Sequence, residues 1–138
     1  MDIAKLSKSV DAQNEGVPLN IVDPVEGNNI GLSIVIYGPD SDAQAEAKVE
    51  ARDAISKLRQ ASIAGTIAEG ESEDISLSML AKCVKSWDAV EEGQSLNCTP
   101  ENIKRVLKRF PWIRSQVDQF ANSRAPYKQF YGGDDADT

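Results

Sequence analysis

The sequence predicts an α+β fold, an N-terminal β-hairpin packed against about four helices, with a helix-rich C-terminal half. Three observations predict it. Two runs rich in β-branched residues, Val17–Val22 and Ile30–Tyr37, flank the turn-forming stretch Asp23-Pro24-Val25-Glu26-Gly27-Asn28-Asn29. Apolar and alanine positions recur at helical spacing from Ala43 to about Ile63. Thr99-Pro100-Glu101-Asn102 then combines a capping hydroxyl, a proline suited to the first helical position and an acid that complements the helix dipole.

Taken in order, residues 1–16 are polar with scattered apolar positions. Ile3 and Leu6 share one side of a short turn, but Gly16 ends the segment, so a flexible N-terminal arm is expected. Residues 17–127 form the single domain. In the hairpin, Pro24 presets φ, while Gly27, Asn28 and Asn29 tolerate positive φ. The second strand is apolar at Ile34 and Ile36 as well as Leu32, Val35 and Tyr37, which predicts cover on both faces. Gly38-Pro39-Asp40-Ser41 stops it, and Asp40 or Ser41 starts the long helix. Ala47, Ala51, Ala54, Leu58 and Ala61 make its apolar stripe, read as core.

Gly65 to Asp74, with acids at Glu69, Glu71, Glu73 and Asp74, reads as a solvated loop. The next segment begins with strand-like alternation, but Leu77, Leu80, Ala81, Val84 and Trp87 fit a helical face, predicting a helix from about Leu77 to Ser86 that Trp87 closes. Asp88, Glu91, Glu92 and Gly93 then reverse the chain. Beyond Thr99 and Pro100, Ile103, Val106, Leu107 and Phe110 lie at i, i+3, i+4 and i+7. Pro111 interrupts, and a second helix runs to about Ser123 with Ile113, Val117, Phe120 and Ala121 on one face. The expected structural core is Trp87, Ile103, Leu107, Phe110, Val117 and Phe120. Residues 128–138 form an acidic tail expected to be disordered.

Composition excludes several functions. The chain has no histidine, which removes the usual general base and the commonest transition-metal ligand. Ser72, Ser76 and Ser78 therefore lack a triad partner. Walker and GxGxxG patterns are absent. Asp88, Glu91 and Glu92 lack the alternation of a calcium loop. Cys83 and Cys98 read as two reduced, buried thiols in preference to a disulfide or metal pair. No catalytic residue, metal or cofactor is expected, and neither a signal peptide nor a membrane span.

Lys104, Arg105, Lys108, Arg109 and Arg114 bring five of the fifteen cations into one short stretch without an acid. Three readings compete: solvated helix faces, contact with a partner protein, and nucleic-acid binding. The net charge of −7 disfavours the last. Trp112, beside Pro111 and between Phe110 and Ile113, is hard to bury on every side. With Arg109, Arg114 and Lys108 it is the expected partner contact, because aromatics beside arginine are enriched in binding hot spots.

The chain resembles the small tail assembly chaperones of long-tailed bacteriophages. The likeness rests on Ile21-Val22-Asp23-Pro24 to Ile34-Val35-Ile36-Tyr37-Gly38 and the Asp40-Ser41 helix start. It continues through Trp87-Asp88-Ala89-Val90, Leu96-x-x-Thr99-Pro100-Glu101-Asn102, Trp112-Ile113-x-x-Gln116-Val117 and Arg124-Ala125, across about residues 17–127. The resemblance implies a non-enzymatic protein of the host cytoplasm that binds the phage tape measure protein and keeps it soluble during tail morphogenesis. Other tail proteins or self-association are further partners to consider, with no membrane and no nucleic acid. The rival reading is a structural virion component, such as a head–tail joining or tail-completion protein.

Overall fold

The computed structural model describes residues 1–131 and has the α+β architecture. Helix α1 (Ile3–Glu15) precedes the hairpin β1 (Val17–Val22) and β2 (Asn29–Ile36), then come α2 (Asp42–Ala61) and α3 (Glu69–Lys82). Strand β3 (Val84–Trp87) and the small pair β4 (Val90–Glu91) and β5 (Gln94–Ser95) follow. Helices α4 (Pro100–Arg109) and α5 (Pro111–Ala121) and a 3-10 helix, Ala125–Phe130, complete the described chain. None of the described helices is long and apolar enough to cross a membrane.

The main sheet is antiparallel in the order β1-β2-β3. Pairing sets Leu19 opposite Ile34 and Val17 opposite Ile36, while Trp87 and Val84 meet the same two isoleucines from the other side. Because strand side chains alternate, these residues share one face. Helices α3 and α5 pack on it and α4 packs against those two, burying Ile21, Ile34, Ile36, Leu77, Leu107 and Val117 among others. Each such aliphatic side chain contributes roughly 1.5–3 kcal/mol when removed from water. The opposite face leaves Pro18, Asn20 and Ser86 exposed and Val35 half-buried, so β2 is covered on one face rather than both. Gln116 on α5 treats β1 as a strand partner would. Its side-chain oxygen accepts from Val22 N–H at 3.0 Å and its amide donates to Val22 carbonyl at 2.8 Å, at the bulge where β1 loses register.

Several expectations are corrected. Residues 1–16 contain a helix, not a flexible arm: Asp2 caps α1 by accepting from Ala4 N–H at 2.9 Å, and Gly16, at φ 85°, ends it. Its buried side chains are Ser9 and Gln13, so no apolar stripe announces it. The stretch from Glu69 to Asp74 is the start of α3, where Glu69 and Glu71 favour a helix N-terminus. The helix expected over Leu77–Ser86 stops at Lys82, and Trp87 ends a strand instead of closing a helix. The stripe on α2 thins along its length: Ala47 is buried, Ala51, Ala54 and Leu58 are half-buried, and Ala61 is exposed. In the segment read as a disordered tail, Lys128 to Phe130 lie in the 3-10 helix and Tyr131 reaches α1; residues 132–138 lie outside the described residues.

The two ends of the described chain meet in a polar node. Tyr131 hydroxyl accepts from Ser9 hydroxyl at 2.7 Å and from the Gln13 amide at 3.3 Å. The Gln13 oxygen accepts from Asp40 N–H at 2.6 Å, and its amide donates to Asp40 carboxylate at 3.2 Å. Arg124 clamps the same carboxylate with bonds of 2.8 and 2.7 Å. Gly38 lies so close to Gln13 that any Cβ there would collide with its side chain.

Candidate functional site

The Thr-Pro start behaves as its residues dictate. Thr99 hydroxyl accepts from Asn102 N–H at 3.2 Å, and Pro100 occupies the first turn of α4, where an amide hydrogen is not needed. Ile103 and Leu107 are buried as expected. Phe110 is not. It is the residue between α4 and α5, at φ −122° and ψ 82°, and it is 40% exposed. Pro111 disfavours the helical conformation for the residue before it, which turns the ring off the stripe that Ile103 begins. Phe110 meets Trp112 edge-to-face with centroids 6.2 Å apart.

Opposite Phe110 stands the β4–β5 hairpin. Its two-residue turn, Glu92-Gly93, has φ of 51° and 81°, both on the left-handed side. Such turns match the twist of the strands they join. The hairpin is anchored at its base: Trp87 indole N–H donates to Leu96 carbonyl at 2.7 Å, and Leu96 N–H to Ala89 carbonyl at 2.9 Å. Asp88, the residue after β3, continues the pairing with β2, accepting from Ser33 N–H at 2.7 Å and donating its own N–H to Ser33 carbonyl. Arg105 on α4 grips Glu91 with parallel bonds of 3.0 and 3.1 Å, and this pairing holds the Glu91 carboxyl below its ordinary range.

Between these walls runs a groove of about 790 Å³. Ile30 and Leu32 of β2, Val90 and Leu96 of the hairpin, and Val106 and Phe110 of α4 supply its apolar lining, with Ile113 below. Three of the large exposed apolar side chains border it: Ile30 (45% exposed), Val90 (63%) and Phe110 (40%). Single exposed apolar residues are ordinary; here three of them border one concavity, which makes it the candidate site. Charge divides by wall. Arg109 lies on the α4 side, and Asp88, Glu91 and Glu92 on the hairpin side. Arg109 and Glu92 have no ion-pair partner among the described residues.

The expected partner contact is therefore divided. Arg109 faces the groove. Lys108 lies on the other side of α4, beside Glu73 and Asp74 of α3. Arg114 is half-buried and 3.9 Å from Glu73, and Trp112 is half-buried against the core. The basic stretch is largely matched within the chain, Lys104 to Asp74 at 2.8 Å and Arg105 to Glu91 at 3.0 Å. Of the expected core, Val117 is buried, whereas Trp87 and Phe120 are half-buried and packed against it. Ile30, Val90, Leu96 and Glu92 escaped sequence reasoning as site residues. The usable signal was Gly93 within the short polar stretch from Glu91 to Ser95, which marks a turn.

Cys83 is buried and bonds Met79 carbonyl through its thiol, and burial pushes its pKa up to about 11. Cys98 is half-buried, and both thiols are free. Among the described residues no cluster of three acids or thiols could hold a metal ion. Comparison with protein-family models, with curated proteins and with solved structures finds no match in any of the three.

Proposed function

We propose that this chain is a non-enzymatic tail assembly chaperone, which binds a tape measure protein and keeps it soluble in the host cytoplasm while the tail assembles. The groove carries the reading: an apolar trough bordered by exposed Ile30, Val90 and Phe110 suits transient cover of a client's apolar surface. The resemblance over about residues 17–127 supplies the client class. The lack of histidine in the sequence supports a binding role over a catalytic one.

The test is co-expression with a tape measure protein. The chaperone should co-purify with the client and raise its soluble fraction, and Phe110→Asp should weaken both effects while leaving circular dichroism unchanged. Stoichiometric presence of the chain in mature particles, with no effect on client solubility, would replace this reading with a structural virion component.

A further inference from the structure

The groove also carries information about what enters it. Gly31 N–H, which would pair with an incoming strand, is already bound by the Asn29 side chain at 2.7 Å. Ser33 N–H and carbonyl are both taken by Asp88. Where β2 runs past β3, these bonds leave an extended peptide neither the Gly31 N–H nor either polar group of Ser33 to pair with. A helix satisfies its own backbone and needs only an apolar trough. Phosphate is disfavoured by the acidic wall of Asp88, Glu91 and Glu92.

Glu92 is the unusual residue of that wall. Its φ of 51° makes it the positive-φ residue other than glycine among those described, in a turn where asparagine or glycine is the relaxed choice. Backbone strain of this kind persists at sites of function more than elsewhere. The turn does not need the carboxylate. Arg105 engages the neighbouring Glu91, leaving Glu92 exposed at the rim without an ion-pair partner among the described residues.

We infer that the groove seats the apolar face of one amphipathic partner helix, and that Glu92 determines specificity by taking a lysine or arginine from the flank of that helix. The inference rests on the client-binding reading above and deepens it. Apolar side chains at i, i+3, i+4 and i+7 of the partner meet Phe110, Val90 and Ile30, and one cation follows on the hairpin side.

Three fluorescein-labelled helical peptides of about 18 residues test it, a length near the limit for an isolated helix. They share one leucine stripe and differ only on a flank: lysine, glutamine or glutamate. Wild-type protein should bind the lysine peptide about two- to fivefold more tightly than the glutamine peptide, and the glutamate peptide most weakly. With Glu92→Gly the lysine and glutamine peptides should bind alike, while the melting temperature rises. With Glu92→Lys the preference should invert. Phe110→Asp should remove binding of all three. Equal binding of the lysine and glutamine peptides to wild-type protein overturns the role of Glu92. No binding of any peptide, or binding unaffected by Phe110→Asp, overturns the groove. Client solubilisation is read separately: a client kept soluble by both wild type and Phe110→Asp leaves the chaperone reading standing and removes the groove, and peptide binding without client solubilisation does the reverse.

Discussion

Neighbouring residues on one helical stripe have different fates here. Leu107 is 1% exposed and Phe110 is 40% exposed, although both fit the spacing that starts at Ile103. The spacing argument holds only while the backbone stays helical, and α4 ends at Arg109. Leu107→Ala should therefore cost about 2–5 kcal/mol, in the range for a filled core position. Phe110→Ala should cost clearly less, because much of the ring already meets water. Urea denaturation of both variants checks this ordering, and equal losses would place Phe110 in the core after all. Glu92 makes a second residue-scale case. A left-handed non-glycine residue costs about 1–2 kcal/mol, and glycine returns part of that as freedom of the unfolded chain. Glu92→Gly should raise stability by roughly 0.5–1 kcal/mol on those terms. Cys98 should react with a neutral alkylating agent before Cys83, whose thiol is buried and shifted up to about 11. Mass spectrometry of the partly labelled native protein reads the order directly.

At the scale of elements, the parts marked by apolar periodicity or by turn and cap chemistry were legible. The hairpin was read from β-branched runs around Asp23–Asn29, and α4 and α5 from Thr99, Pro100 and Pro111. What escaped lacked that signal. Helix α1 buries Ser9 and Gln13 and is held by hydrogen bonds instead of an apolar face. The boundary between α3 and β3 fell inside a run whose apolar residues fit a helix, while the pairing of Val84 and Trp87 with β2 is a long-range contact that no local pattern encodes. The groove was half legible for the same reason. Arg109 was picked out locally, but Ile30, Val90 and Phe110 become one surface only through the fold. Gln116 is an element-scale device of this kind, joining α5 to β1 through both polar groups of Val22. Gln116→Ala leaves that N–H and carbonyl without their partner and should cost about 1–3 kcal/mol. Hydrogen exchange should show the amide of Val22 opening faster, with α3 unchanged. Unaltered protection at Val22 would mean that the side-chain pairing contributes nothing to the edge.

Across the whole molecule, the N-terminal helix and the C-terminal 3-10 helix are joined to the body through the β2–α2 loop, and Asp40 is the shared partner. Its carboxylate receives Arg124 and Gln13, and its amide is held by Gln13. The hydrogen bond from Arg124, opposed in part by burial and helped by Gln13, lowers the Asp40 pKa from its ordinary 3.8. A depressed folded-state value means that the unfolded chain binds the proton more tightly. The stabilisation is therefore fully present above the unfolded value and is lost as pH falls through the lowered folded one. Asp23 and Glu91 are shifted the same way, so the wild-type acid limb mixes several carboxylates. Asp40→Asn isolates one of them. It keeps an acceptor for Arg124 but removes the charge, so the variant should be less stable than wild type at neutral pH. The gap should narrow as pH is lowered through and below the ordinary carboxylate value of 3.8. Urea midpoints of the two proteins at about pH 7 and about pH 3 measure it. A gap that stays constant with pH would show that Asp40 acts here by shape and neutral hydrogen bonding, and that its charge does not hold the ends of the chain to the body.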